Sequence, residues 1–206
     1  MLRGLYLITP DTTDTPALMA RLLPALAGRP ALLQYRNKCL QGARRRTQAE
    51  AVLDAARAAA VPVLINDDPE LAAALGADGA HVGRDDAGIA QARARLGGAA
   101  MLGASCYDRL DLAIDAVRAG ADHVAFGSVF ASPTKPAAAR APLSLFGEAR
   151  RRLPVPLVAI GGITLDNARE VVAAGADLLA VISDVFDAPD PLARVIAYRA
   201  LFELPG

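Results

Sequence analysis

Short apolar runs rich in Val, Ile and Leu alternate along the chain with longer Ala-rich stretches whose apolar positions recur at helical spacing. The short runs predict eight strands, at residues 5–9, 32–36, 63–66, 79–82, 101–105, 123–126, 157–160 and 178–182. A helix is expected after each. Thr15 stands where it would cap the first helix, with Pro16 in the first turn, where a missing N–H costs nothing; Asp68 before Pro69 repeats the arrangement. Gly76, Gly120 and Gly175 are each expected to close a helix in the left-handed conformation. All three belong to a Gly-Ala-Asp tripeptide that precedes a strand, the trace of an internal repeat.

Strand-then-helix units with short connections require parallel strands, because each crossover helix returns the chain to the same edge direction. Such a sheet closes into an α/β fold, a single (β/α)8 TIM barrel, and one catalytic domain is expected over residues 1–206. An open doubly wound sheet of fewer strands would leave two clear strand–helix units unused. The apolar content of 53% is carried by Ala, Leu and Val rather than aromatics, which suits strands buried on both faces.

Lys plus Arg and Asp plus Glu both total 22, so the chain has no positive field with which to hold DNA or RNA. No apolar run reaches membrane-spanning length, and the first ten residues lack the pattern of a signal peptide. Cys39 and Cys106 are too few for a disulfide framework and lie in no metal-ligand spacing, which suits a reducing, cytoplasmic compartment. Self-association as a homo-oligomer is compatible with the sequence.

In a barrel of this kind the active site is built by the loops at the carboxyl ends of the strands. Those positions are unusually polar. The second strand runs into Gln34-Tyr35-Arg36-Asn37-Lys38, and alternation turns Gln34 and Arg36 to one face. Asn66-Asp67-Asp68 follows the third strand and Gly83-Arg84-Asp85-Asp86 the fourth. Carboxylates at neighbouring strand ends repel one another unless a cation lies between them, and Mg²⁺ suits a sparse acidic cluster without paired His or Cys. Taken singly, Asp68 reads as a helix cap, and Asp85 and Asp86 as solvated loop residues.

The sixth strand leads into Gly127 and Ser128, then Ser132-Pro133-Thr134-Lys135, whose hydroxyls and ammonium suit phosphate oxygens; a solvated linker is the plain alternative. Gly161-Gly162 after the seventh strand and Ile182-Ser183 after the eighth stand where barrels commonly bind phosphate. Arg44-Arg45-Arg46 reads as a solvated helix face. His81 and His123 read as packed, hydrogen-bonded residues rather than acid–base catalysts. Cys106 lacks a base partner and is not a nucleophile candidate.

In their order along the chain, these segments resemble the thiamine-phosphate synthase family. Gln34-Tyr35-Arg36-Asn37-Lys38 is similar to its Gln-aromatic-Arg-x-Lys, Ile65-Asn66-Asp67-Asp68 to its Ile/Val-Asn-Asp-Asp, and His81-Val82-Gly83-Arg84-Asp85-Asp86 to its His-x-Gly-x-acid-Asp. Ser132-Pro133-Thr134-Lys135, Gly161-Gly162-Ile163 and Val181-Ile182-Ser183 match later motifs in the right order.

The resemblance implies an Mg²⁺-dependent alkyl transfer. 4-Amino-5-hydroxymethyl-2-methylpyrimidine diphosphate and a hydroxyethylthiazole phosphate would give thiamine phosphate and pyrophosphate, the diphosphate leaving before the thiazole nitrogen attacks. It implies Asp67 and Asp86 as metal ligands, and Gln34, Arg36, Lys38, Asn66, Ser105 and Lys135 on the diphosphate or pyrimidine, with Lys135, Arg36 and Ser105 nearest the chemistry. Ser132, Thr134, Gly162, Ile182 and Ser183 would take the thiazole phosphate. Ser128 stands where some members have Pro, and Asp184 adds an acid that would weaken phosphate binding if it pointed inward.

Two rival readings remain. A thiazole tautomerase of the same fold would carry a His near Ser128 and lack the complete Asn-Asp-Asp. A non-catalytic phosphate sensor would leave the acidic clusters and Lys135 without a purpose.

Overall fold

Each strand is followed by a helix, and the computed structural model, which describes residues 2–83, 88–131 and 140–203, arranges them as β1 (Gly4–Ile8), α1 (Thr15–Ala27), β2 (Leu32–Tyr35), α2 (Gly42–Ala58), β3 (Val63–Asn66), α3 (Pro69–Leu75), β4 (Gly79–Val82), α4 (Ile89–Leu96), β5 (Met101–Tyr107), α5 (Leu110–Arg118), β6 (His123–Gly127), α6 (Ser144–Arg150), β7 (Leu157–Ile160), α7 (Leu165–Ala173), β8 (Leu178–Val181), a short α8 (Ser183–Phe186) and α9 (Pro191–Glu203). The strands pair in chain order, all parallel, and β1 closes on β8 to complete the (β/α)8 barrel. No described helix is long and apolar enough to cross a membrane.

The apolar residues divide by strand face. Leu5, Leu7, Leu33, Val63, Ile65, Val124 and Leu179 pack outward against the helices. Tyr6, Ile8, Leu32, Leu64, Ala125, Val158, Leu178 and Ala180 fill part of the barrel interior. Burying a Leu or Ile side chain contributes about 1.5–3 kcal/mol, so both layers are needed to offset the entropy of ordering the chain. The strand pattern reads as continuous apolar sequence because β1, β2, β4 and β8 are buried along their whole length.

The Gly-Ala-Asp repeat has a structural meaning. Asp78, Asp122 and Asp177 each accept a hydrogen bond from the backbone N–H of the preceding strand, at Val63, Leu102 and Leu157 (2.8, 2.7 and 2.8 Å). An arginine on the helix before that strand reaches the glycine carbonyl of the same tripeptide: Arg57 to Gly76, Arg93 to Gly120 and Arg150 to Gly175. The repeat therefore ties the amino-terminal rim of the barrel together in strand pairs. Gly76 caps α3 with φ 60°, whereas α5 and α7 are capped by Ala119 and Ala174, one residue before the positive-φ glycines Gly120 and Gly175.

Several expectations need correction at element boundaries. Asp14, not Thr15, caps α1, its carboxylate accepting from Ala17 N at 2.9 Å. Thr15 is the first helical residue, and its hydroxyl accepts from Gln48 Nε2. β5 runs beyond Ser105 to Tyr107 through a shift of register, so Ser105 lies within a strand and not at its tip. Asp68 caps α3 as expected, accepting from Leu71 N at 2.8 Å.

Candidate active site

Alternation along the strands turns Tyr6, Gln34, Asn66, His81, Gly103, Ser105 and His123 inward, so one side of the barrel interior is polar where the other is apolar. His81, Gly103 and His123 stand side by side in register on β4, β5 and β6. A Cβ on Gly103 would lie 2.2 Å from His123 Nε2 and 2.4 Å from His81 Nδ1, so the glycine provides the space into which both imidazoles lean. Tyr6 completes the group, with ring centroids 6.0 Å from His81 and 5.8 Å from His123.

A hydrogen-bonded chain crosses this interior towards the carboxyl ends of the strands. Gln34 Nε2 donates to Tyr6 Oη at 2.7 Å, Tyr6 Oη lies 3.4 Å from His81 Nδ1, and His81 Nε2 lies 3.1 Å from Ser105 Oγ. Burial pushes the Tyr6 phenol well above its ordinary range, against the lowering effect of its bond from Gln34. Burial likewise holds His81 down to about 4, although the Asp67 charge pulls the other way, and holds His123 down to about 3 with help from His81. Both imidazoles are therefore neutral at pH 7. His123 is packed as expected, but its buried Nε2 has no hydrogen-bond partner among the described residues.

Charged groups gather outside this chain at the ends of β1 to β3. Arg36 Nη1 pairs with Asp11 Oδ2 at 2.6 Å, and the Lys38 N–H donates to Asp11 Oδ1 at 2.8 Å. Lys38 Nζ lies 2.9 Å from Asp67 Oδ2, to which Asn66 Nδ2 also donates at 2.6 Å. Asp67 takes φ 56°, and its N–H donates to His81 O, which fixes the carboxylate relative to β4. Asn37 is structural: its amide donates to Thr12 O and Gln48 Oε1 and accepts from the N–H groups of Cys39 and Leu40.

On the far side of the mouth, Gly161 and Gly162 take φ 103° and 65°. A Cβ on Gly162 would lie 2.5 Å from Ala131 O, and one on Gly161 would lie 2.1 Å from Ser128 Oγ, so the β7 loop packs directly on the segment leaving β6. Phe130 N donates to Gly161 O at 3.0 Å, and Ala141 N donates to Ser128 O at 3.0 Å, so the chain that leaves β6 returns beside it. Ile182 packs against the apolar interior cluster and precedes the first turn of α8, which begins at Ser183. Asp184 faces away from the mouth. Its carboxylate lies 3.2 Å from Arg194 Nη1 and accepts from Tyr198 Oη at 2.7 Å.

The structure thus brings Gln34, Arg36, Lys38, Asn66, Asp67 and Ser105 to one half of the mouth and Gly162, Ile182 and Ser183 to the other. Asp86, Ser132, Thr134 and Lys135, together with Arg84 and Asp85, lie outside the described residues. One expectation is overturned within the basic triplet. Arg44 and Arg46 lie on the solvated face, but Arg45 pairs with Asp68 at 2.6 Å and donates to Asn66 O at 3.0 Å, bracing the β3 loop. Sequence reasoning also passed over Tyr6 and Asp11; the one available signal was that Tyr6 falls on the inward phase of β1 between Gly4 and Ile8. Cys106 is buried and its thiol is pushed up to about 12, in keeping with its exclusion as a nucleophile.

The thiamine monophosphate synthase family matches over residues 5–185. A thiamine-phosphate synthase of Aromatoleum aromaticum is 58% identical over 202 residues, spanning 98% of this chain and 97% of that protein. The corresponding protein of Azoarcus sp. is 56% identical over 201 residues, spanning 98% of each. Among solved structures, thiamine phosphate pyrophosphorylase from Pyrococcus furiosus is similar with a TM-score of 0.84 and 31% identity, covering 97% of this chain and 95% of that one.

Proposed function

The chain belongs to the thiamine monophosphate synthase family, and on that premise we propose that its barrel mouth joins an aminopyrimidine methyl diphosphate to a thiazole phosphate, releasing pyrophosphate. The observation that carries this reading is the convergence of Arg36, Lys38, Asn66 and Asp67 at one half of the mouth, with Lys38 Nζ 2.9 Å from Asp67 Oδ2. Cations and an oxygen ligand on the rim of a polar pocket suit a diphosphate rather than a neutral substrate.

In the proposed reaction the bond between the pyrimidine methylene carbon and the diphosphate oxygen breaks, and its electron pair leaves with the oxygen. The thiazole ring nitrogen then gives its lone pair to that carbon, forming the C–N bond and leaving the positive charge on the thiazolium ring. No protein nucleophile is needed. Arg36 and Lys38 would hold the diphosphate and neutralise the charge it gains, a role that Lys135 would share. Gln34 and Ser105 would orient the pyrimidine. Gly162, Ile182 and Ser183, with Ser132 and Thr134, would hold the thiazole phosphate through backbone N–H groups and hydroxyls.

The residues present fit Mg²⁺, since Asp67 offers a hard carboxylate at the rim beside groups suited to the diphosphate, and Mg²⁺ takes one or two carboxylates with water and phosphate oxygens. Asp67 and Asp86 would hold the ion, which would supply further charge neutralisation at the departing diphosphate. The pairing of Asp184 with Arg194 and Tyr198 removes the objection that its charge would repel a phosphate. The isomerase reading needs a proton-moving side chain near Ser128, whose hydroxyl instead donates to Phe130 O at 2.6 Å.

The deciding experiment supplies both substrates with Mg²⁺ and follows thiamine phosphate and pyrophosphate together, then omits each substrate in turn. Equal yields that require both substrates support the proposal. Rearrangement of the thiazole alone, or binding without turnover, would overturn it.

A further inference from the structure

In the chain Gln34–Tyr6–His81–Ser105 the two contacts of His81 take their direction from its tautomer, and the bond from Gln34 to Tyr6 favours one of the two. Gln34 Nε2 can only donate, so Tyr6 Oη accepts from it at 2.7 Å and turns its own proton towards His81 Nδ1, 3.4 Å away. A neutral imidazole that accepts at Nδ1 carries its proton on Nε2, and in that tautomer His81 Nε2 donates to Ser105 Oγ across 3.1 Å. Two atoms are left at the ends. Gln34 Oε1 is an acceptor and the Ser105 hydroxyl proton a donor, and neither makes another hydrogen bond among the described residues.

From this geometry we infer that Tyr6 and His81 are positioning residues that fix the donor–acceptor pattern read by the pyrimidine pocket, selecting an exocyclic amine beside an unprotonated ring nitrogen. The inference rests on the reading of Gln34 and Ser105 as pyrimidine contacts. A 4-aminopyrimidine offers a donor to Gln34 Oε1 and an acceptor to the Ser105 hydroxyl. The 4-oxo analogue reverses both, with a carbonyl facing Gln34 Oε1 and a ring N–H facing the Ser105 proton. Accommodating that reversal would need the Gln34 amide to turn over, the Tyr6 hydroxyl to rotate and the His81 proton to move from Nε2 to Nδ1 in concert.

The chain has two histidines, so ¹⁵N-histidine spectra of the free protein hold two ring systems, assigned through a His123→Leu variant. The expected spectrum shows His81 with a bare Nδ1 and a protonated Nε2; the opposite tautomer overturns the inference. Calorimetric binding of the amino and oxo pyrimidine diphosphates then compares the wild type with Tyr6→Phe. Wild type is expected to prefer the amino compound at least tenfold, and Tyr6→Phe, which frees the Gln34 amide to turn over, to lose most of that preference while its melting temperature stays close to wild type. Equal binding of the two compounds by wild type, or an unchanged preference in Tyr6→Phe, overturns it. Failure of condensation when the tautomer is as stated would instead sink the synthase reading and leave the relay standing.

Discussion

Lys38 Nζ stands 2.9 Å from Asp67 Oδ2, joining the loop that follows β2 to the residue that ends the β3 turn. The Lys38 side chain is 56% exposed, so the pair does little for the fold; in the proposed reaction its importance would lie in the charge it presents to the diphosphate. Lys38→Met and Asp67→Asn are expected to melt close to wild type yet lose about 10²-fold in kcat/KM, since each removes stabilisation of the departing diphosphate. Thermal melts beside steady-state kinetics check both halves, and full activity in either variant would remove that residue from the mechanism.

Asp184 should behave in the opposite way. Replacing it with Ala strands the half-buried Arg194 guanidinium and the buried Tyr198 hydroxyl, at a cost of about 1–3 kcal/mol in unfolding free energy. KM for the thiazole phosphate is expected to change less than about threefold, because nearly the whole effect of a side chain turned away from the mouth falls on stability. Urea unfolding and a substrate titration separate the two, and a large KM effect without destabilisation would contradict the geometry.

Acid should weaken the fold through its histidines. His123 is held at about 3 and His81 at about 4, whereas an unfolded histidine titrates near 6.5. As pH falls below about 6.5 the unfolded chain binds protons that the folded chain refuses, so stability is full above that pH and is lost down to about 4 and then about 3. Each histidine is expected to cost about 2 kcal/mol between pH 7 and 5, and His123→Leu should remove roughly half of the total loss. Unfolding free energies at several pH values test this; an unaltered acid slope in the variant would refute it.

Gly103→Ala tests the close approach of the two imidazoles. Its methyl would meet His123 Nε2 at 2.2 Å and His81 Nδ1 at 2.4 Å, so one or both rings must shift. Overpacking of this kind costs about 1–3 kcal/mol, and displacement of His81 would break its bond to Ser105. A lowered melting temperature together with a raised KM for the pyrimidine diphosphate is expected, and a variant with wild-type values for both would show that the interior has room to spare.

The sequence alone determined the eight parallel strands, the closed barrel and the strand ends at which polar residues gather, because alternation and helical spacing are local properties of the chain. It also picked out Gln34, Lys38, Asn66 and Asp67, since polar residues at strand ends are conspicuous against apolar runs. Only the tertiary structure decided which partners those residues meet. Tyr6 and His81 look like ordinary core residues until β1, β2, β4 and β5 are set side by side and a hydrogen-bonded chain joins them. Arg45 leaves the solvated face, and Asp184 turns from the loop after β8, because Asp68 and Arg194 wait on elements that are distant along the chain or a helix apart. Pairing of that kind depends on distances between elements, which hydrophobic spacing within an element does not encode.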